Sequence, residues 1–254
     1  MINNKLGIFI QARINSTRLS NKTILDVQSN KSLMDLILEK LKKYNELYTI
    51  VICTGNKKCN FIFEDYAKKY NVEVFFGDEH NVLERFLEAG LKYNLTHILR
   101  VCSDNPSLQT TYIDMLIETL KKDNSIDYIS FCNKDNIPSI LSHLGFFTEI
   151  VSVKSLAKQK EEVSDINILE HVTKHVYSNP NEYKILFLRI PEDVDRRDIR
   201  LTIDDIVDFE ICQEILKNIK ADESAINIIK YVDSNKFLKN KMIINIKKYS
   251  KWHT

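Results

Sequence analysis

The chain has 254 residues, of which 44% are hydrophobic and 28% charged, a length that suits one large α/β domain and buries a sizeable core. Lys plus Arg number 36 and Asp plus Glu 35, so no global field draws the chain to nucleic acid or to a membrane surface. An anionic ligand would have to be held by cations gathered locally.

In chain order, Leu6 to Gln11 is a short apolar strand. After it "ARINSTRLSNK" places Arg13, Arg18 and Lys22 among Asn, Ser and Thr. Ser32 to Asn45 has helical apolar spacing, with Ser32 or Asn30 as cap. A β-branched run follows at Tyr48 to Gly55, then a helix at Asn60 to Asn71 and a strand at Val72 to Gly77. His80 to Asn94 reads as a helix, His97 to Asp104 as a strand, "TTYIDMLIETLKKD" as a helix and "DYISFC" as a strand. Alternation of this kind predicts a mostly parallel sheet with helices on both faces and ligands at the carboxyl ends of its strands. The loops holding Arg13 to Lys22 and Ser103 to Pro106 then share one rim.

Regularity falls away over residues 133–190, which we read as an inserted acceptor or lid lobe within a single domain spanning 1–254. Inside it "TEIVSVKSLAKQ" is a strand leading into a helix, "NILEHVTKHVYSNP" a helix stopped at Asn179–Pro180, and "YKILFLRIP" a strand. A strand to about Ile203, an acidic turn and a long helix capped by Asp205 come next, and the tail from Asp222 holds two short helices. Only 5 Gly are present, so Asn must take several left-handed turn positions. Five cysteines without a C-x-x-C pair point to reduced thiols in a cytoplasmic protein, not to zinc. The N-terminus "MINNKLGIFI" has no basic stretch before a long apolar one, so no signal peptide is expected. No apolar run reaches the ~20 residues that span a bilayer.

Three features converge on phosphate chemistry. Hydroxyls, backbone N–H groups and cations meet in the first loop, without the glycine pattern of a Walker loop. Asp104 ends a central strand, a position suited to Mg²⁺ shared with phosphate. Asp204 ends a later strand and could flank the same metal. The triplet Asp193 to Asp195 is a bare D-x-D, and His171 with His175 forms no H-E-x-x-H.

These stretches together resemble the sugar cytidylyltransferases, whose opening reads roughly I-[PQ]-A-R-x-x-S-T-R-L-P-x-K. "IFIQARINSTRLSNKTIL", "VFFGDEHNVLERFLEAGLKYN", "LRVCSDNPSL", "EHVT" and "RLTIDDIVDFE" follow the order and spacing of the spore-coat polysaccharide F-type proteins, relatives of the CMP-Kdo and CMP-sialate synthetases. The resemblance implies a Rossmann-like nucleotidyltransferase that moves CMP from CTP to a small acidic sugar-like acceptor for surface glycans, releasing pyrophosphate. Gln11, Ala12, Arg13, Ser16, Thr17, Arg18, Lys22 and Ser103 would then meet the nucleotide. Arg13 and Lys22 would act in catalysis with Asp104 and Asp204, the Mg²⁺ carboxylates. Phe147, Glu149, His171 and Arg200 would face the acceptor, and the expected assembly is a homodimer. Asn21 stands where relatives often carry Gly, and Phe147 where they carry Asp. A glycosyltransferase of related topology and a nucleotide-binding homologue without catalysis are the alternatives.

Overall fold

The computed structural model describes residues 5–163 and 171–249. Strands β1 (Leu6–Gln11), β4 (Thr49–Thr54), β5 (Glu73–Phe76), β6 (His97–Cys102), β7 (Tyr128–Cys132), β8 (Glu149–Ser152) and β9 (Ile185–Arg189) form one sheet in the order β5-β4-β1-β6-β8-β7-β9. Neighbours pair in parallel except β8, which runs antiparallel to both β6 and β7. A separate ribbon joins β2 (Asp26–Gln28) to β3 (Lys31–Ser32). The stretch 133–190 thus supplies two strands, β8 and β9, to the main sheet.

Period-two alternation puts successive residues of a strand on opposite faces. Ile8 and Ile10 join one core and Phe9 the other. The first core takes α1 (Leu33–Leu41), α3 (Phe63–Tyr70), α5 (Thr110–Lys122) and α8 (Ile206–Asn218), through residues such as Met34, Phe63, Ile113 and Ile211. The second takes α4 (Val82–Lys92), α6 (Val153–Glu162) and α7 (Lys174–Ser178), through Phe86, Leu156 and Val176. Between α1 and α3 lies the short α2 (Lys57–Asn60), so the helix expected over 60–71 begins instead as two pieces. Two further helices, α9 (Ala225–Ser234) and α10 (Lys236–Tyr249), close the described chain. No helix among the described residues is long and apolar enough to cross a membrane.

Local chemistry explains several boundaries. Ser32 caps α1 through a reciprocal box with Asp35, and Asp205 caps α8 with Asp208 in the same way. Among the described residues, positive φ outside Gly occurs at Asn21, Ser29, Asn30, Asn71, Asn94 and Asn136. Asn therefore serves at five of these six positions, where glycine is scarce. All five cysteines are free, with Cys53, Cys132 and Cys212 buried.

Two expectations need correction. Residues up to Ile203 do not form a strand: Leu201 N–H donates to His143 O and Ile203 N–H to Asp104 O. This extended segment docks on loop carbonyls above the sheet and joins no ladder. Phe147 is not a ligand wall. It is 5% exposed, stacks on Tyr112 at 4.6 Å and meets Phe131 at 5.0 Å, inside the first core. Phe147→Asp would bury an unpaired carboxylate and remove an aromatic side chain, at a cost of about 3–5 kcal/mol. Urea denaturation should read that loss. A variant as stable as the parent chain would show that the ring is not structural.

Candidate active site

Register brings the two expected loops together. Gln11 at the end of β1 lies opposite Cys102 at the end of β6 and Cys53 on β4. The loop after β6 starts beside the loop after β1, with Ser103 N–H donating to Gln11 O at 3.2 Å. The first loop folds on itself, Ser16 and Asn21 N–H both donating to Ile14 O. Asn21, with φ 60°, turns the chain into a 3₁₀ turn that begins at Lys22. The base of the loop is held from outside: Ile14 N–H donates to Asn60 Oδ1, and the Asn60 amide donates to Glu79.

The result is a cavity of about 140 Å³. The first loop lines it with Gln11, Ala12, Arg13, Ser16, Thr17, Arg18 and Lys22. Ser103 and Asp104 come from the second loop, and Asp204 arrives on the docked segment. Every residue expected at the nucleotide and metal positions is therefore on one wall or another of this cavity. Lys22 Nζ lies 3.0 Å from Asp104 Oδ2 and 3.7 Å from Asp204 Oδ1, and donates to Ile203 O at 2.7 Å. Arg18 reaches Asp204 Oδ1 at 2.7 Å. A single ammonium thus sits between two partly exposed carboxylates, so the gap accepts a cation, and its hard oxygen donors fit Mg²⁺.

Arg85, from α4, lines the same cavity and was not foreseen. It is buried, its Nη1 donates to Asp78 O, and its Nε has no hydrogen-bond partner among the described residues. Burial draws its pKa below the usual arginine value, and the like charge of Arg13 adds to that. The sequence concealed it because "VLERFLEAG" reads as an ordinary amphipathic helix.

A second cavity of about 610 Å³ adjoins the first, sharing Thr17, Arg18 and Asp204. Its other walls are Leu141, His143, His171, Lys174, Tyr177, Arg200 and Tyr249. Both His171 and Arg200, expected at the acceptor, are among these walls. The Arg200 side chain is fully buried and already meets Asp208, Asp204 and His143. Burial works against its charge, yet these carboxylates outweigh that and hold its pKa above the usual value. Lys174 is exposed and forms no ion pair among the described residues. It directly follows the quoted "EHVT", the one signal that could have flagged it. Tyr249, 45 positions after Asp204 in a Lys-rich tail, carried no signal at all.

Glu149 belongs to neither cavity, which corrects its expected acceptor role. It is wholly buried on β8, bound by Arg100 at 2.6 Å, by the Tyr128 hydroxyl and by Thr173 Oγ1. Arg100 in turn donates from Nε to Gln11 Oε1. Glu149 is the counter-charge of a buried arginine that steadies Gln11. The start of the helix expected at "NILEHVT" lies outside the described residues. Asp195 accepts from Lys134 N–H away from both cavities, so the D-x-D is not at the rim. Elsewhere, Glu162, His175 and Glu182 offer metal-ligand-type atoms within 4.8 Å of one another. Lys158 already pairs with both of those glutamates.

Comparison with known proteins identifies the family. Residues 8–243 match the cytidylyltransferase family model. An uncharacterized protein of Methanocaldococcus jannaschii is 36% identical over 92% of this chain and 93% of its own length. The spore coat polysaccharide biosynthesis protein SpsF of Bacillus subtilis is 29% identical over 91% of this chain and 95% of its own. A cytidylyltransferase structure from Leptospira borgpetersenii superposes with a TM-score of 0.79 at 27% identity, covering 93% of this chain and 97% of that one. With the family model matching residues 8–243, the chain belongs to the cytidylyltransferases and is a nucleotidyltransferase of Rossmann-like α/β fold.

Proposed function

We propose that the chain transfers CMP from CTP to a small sugar-like acid, with the triphosphate in the smaller cavity and the acceptor in the larger. The observation that carries this reading is the seam. Thr17, Arg18 and Asp204 line both cavities, so a phosphate held on one side faces an acceptor held on the other. The acceptor oxygen attacks the α-phosphorus in line, its proton leaves to water or a carboxylate, and pyrophosphate departs. Such chemistry depends on positioning and on counter-charge.

Arg13, Arg18 and Lys22 would neutralise the triphosphate and the departing pyrophosphate. In the free chain Arg18 and Lys22 pair with the aspartates instead. Nucleotide binding exchanges those partners for phosphate oxygens and frees the carboxylates. Asp104 and Asp204 would hold Mg²⁺, which supplies further charge stabilisation for the phosphates. The Arg85 Nε, a buried donor with no partner among the described residues, would donate to an acceptor atom of the nucleotide. In the larger cavity Lys174 and His171 would meet the acceptor's acid group, while Leu141, Tyr177 and Tyr249 face its carbon skeleton.

Pyrophosphate release from CTP and Mg²⁺, measured across a panel of sugar acids, tests the reading. Acceptor-dependent release is expected. CTP binding without release on any acid would favour the catalytically silent alternative. Lys22→Ala should weaken CTP binding by about 1.5–3 kcal/mol, the worth of one charge-assisted bond, and calorimetry reads it directly; an unchanged affinity would remove the loop from triphosphate binding. Lys174→Ala should raise the acceptor KM about tenfold and leave the CTP KM unchanged. The reverse split would move Lys174 to the nucleotide side.

A further inference from the structure

Asp204 is held in an asymmetric way. Its Oδ2 accepts from Arg200 Nη2 at 2.8 Å, and its backbone N–H donates to Asp208 Oδ2 at 2.9 Å. Its Oδ1 turns to the cavity and meets Arg18, a half-exposed side chain, and Lys22. One carboxylate oxygen is therefore fixed from the interior and the other is offered to exchangeable cations.

The interior anchor is rigid for identifiable reasons. Arg200 grips Asp208 with two prongs, Nε to Oδ1 at 2.8 Å and Nη2 to Oδ2 at 2.9 Å, while its Nη1 meets His143 Nδ1 at 2.6 Å. Planar two-pronged contacts of this kind fix orientation as well as charge. From the C-terminal helix, Asn245 donates to Asp208 Oδ1 at 2.6 Å and to Asp205 Oδ1 at 3.1 Å. The Tyr249 hydroxyl donates to Asp205 Oδ2 at 2.7 Å, and its ring lies 4.9 Å from the Arg200 guanidinium.

We propose that Arg200 is a positioning residue that makes Asp204 a one-oxygen ligand for the divalent cation, with Asp208 and the C-terminal helix completing the brace. The inference rests on the metal role given to Asp204 above and adds what sets its geometry. Mg²⁺ demands a near-octahedral shell and takes few protein oxygens, so a carboxylate held to one free oxygen leaves its remaining positions for phosphate and water. Residues behind a metal ligand commonly change metal affinity by ten- to a hundredfold when altered.

Mn²⁺ serves as the probe, its binding to the full chain without nucleotide followed by electron paramagnetic resonance. Arg200→Lys keeps the charge and removes the fork. The expected result is Mn²⁺ affinity weakened about tenfold, with metal-free CTP affinity unchanged. Unchanged Mn²⁺ affinity would overturn the proposal, and so would tighter binding, which would make Arg200 a mere competitor for Asp204. Because Arg200 is buried and the variant can fail to fold, the parent chain supplies a second test. Anomalous diffraction from crystals soaked with Mn²⁺ and CTP should place the metal on Asp204 Oδ1, with Oδ2 still on Arg200. A metal gripping both oxygens would overturn the brace alone. A parent chain that binds no Mn²⁺ at Asp204 would remove the metal reading and the brace with it.

Discussion

The parallel pairing of β1 with β6 is the constraint on which the site depends. Because Gln11 and Cys102 end their strands in register, the two charged loops start side by side. A slip of one residue would displace the two loops along the strands and turn Ile8 and Ile10 out of their core. The hydrophobic demand of the strands and the placement of the charges are thus satisfied by the same pairing. The third contributor, Asp204, comes from much later in the chain. It is set beside Asp104 by the backbone hydrogen bond from Ile203 N–H to Asp104 O and by Lys22 between the two carboxylates.

Charge in this rim is partly paired and leans positive, with Arg13, Arg18, Lys22 and Arg85 beside Asp104 and Asp204. The chain as a whole is near neutral, and two cations of the first loop, Arg18 and Lys22, pair with the aspartates they face. Such pairs are partly exposed and individually weak, which suits the exchange of partners proposed above. Deeper pairs behave differently. Arg100 with Glu149, and Arg200 with Asp208, have almost no exposed surface. Removing one partner of such a pair leaves a stranded charge and is strongly destabilising. The site therefore has an exchangeable outer set of ion pairs resting on a fixed inner set.

The inner set also ties the two cavities together. Arg100 touches Gln11 at the smaller cavity, and its partner Glu149 accepts from Thr173, next to Lys174 at the larger one. Strand β8 makes this possible because it runs antiparallel between β6 and β7 and carries Glu149 to a position opposite Arg100. Side chains from three separate segments are thereby held at fixed spacing beneath the seam.

Local patterns were enough for much of this. Apolar and β-branched runs located the strands of the main sheet to within a residue or two, although the strand expected to about Ile203 did not form and the β2–β3 ribbon was missed. Of the two cap candidates Ser32 caps its helix and Asp205 caps the later one, and scarce glycine foretold left-handed Asn positions. The cationic loop and Asp104 were legible because each is a short, contiguous cluster at a strand end. What contiguous sequence could not carry was which side chains are used up by distant partners. Arg200 and Glu149 looked available, and both are buried against counter-charges. Phe147 looked like a cavity wall and is core. Arg85, Lys174 and Tyr249 looked like ordinary helix residues, and packing put each at a cavity. Backbone propensity and turn chemistry are local and can be read from neighbours in the chain; burial and charge pairing are set by contacts between residues far apart, and only the folded chain decides them.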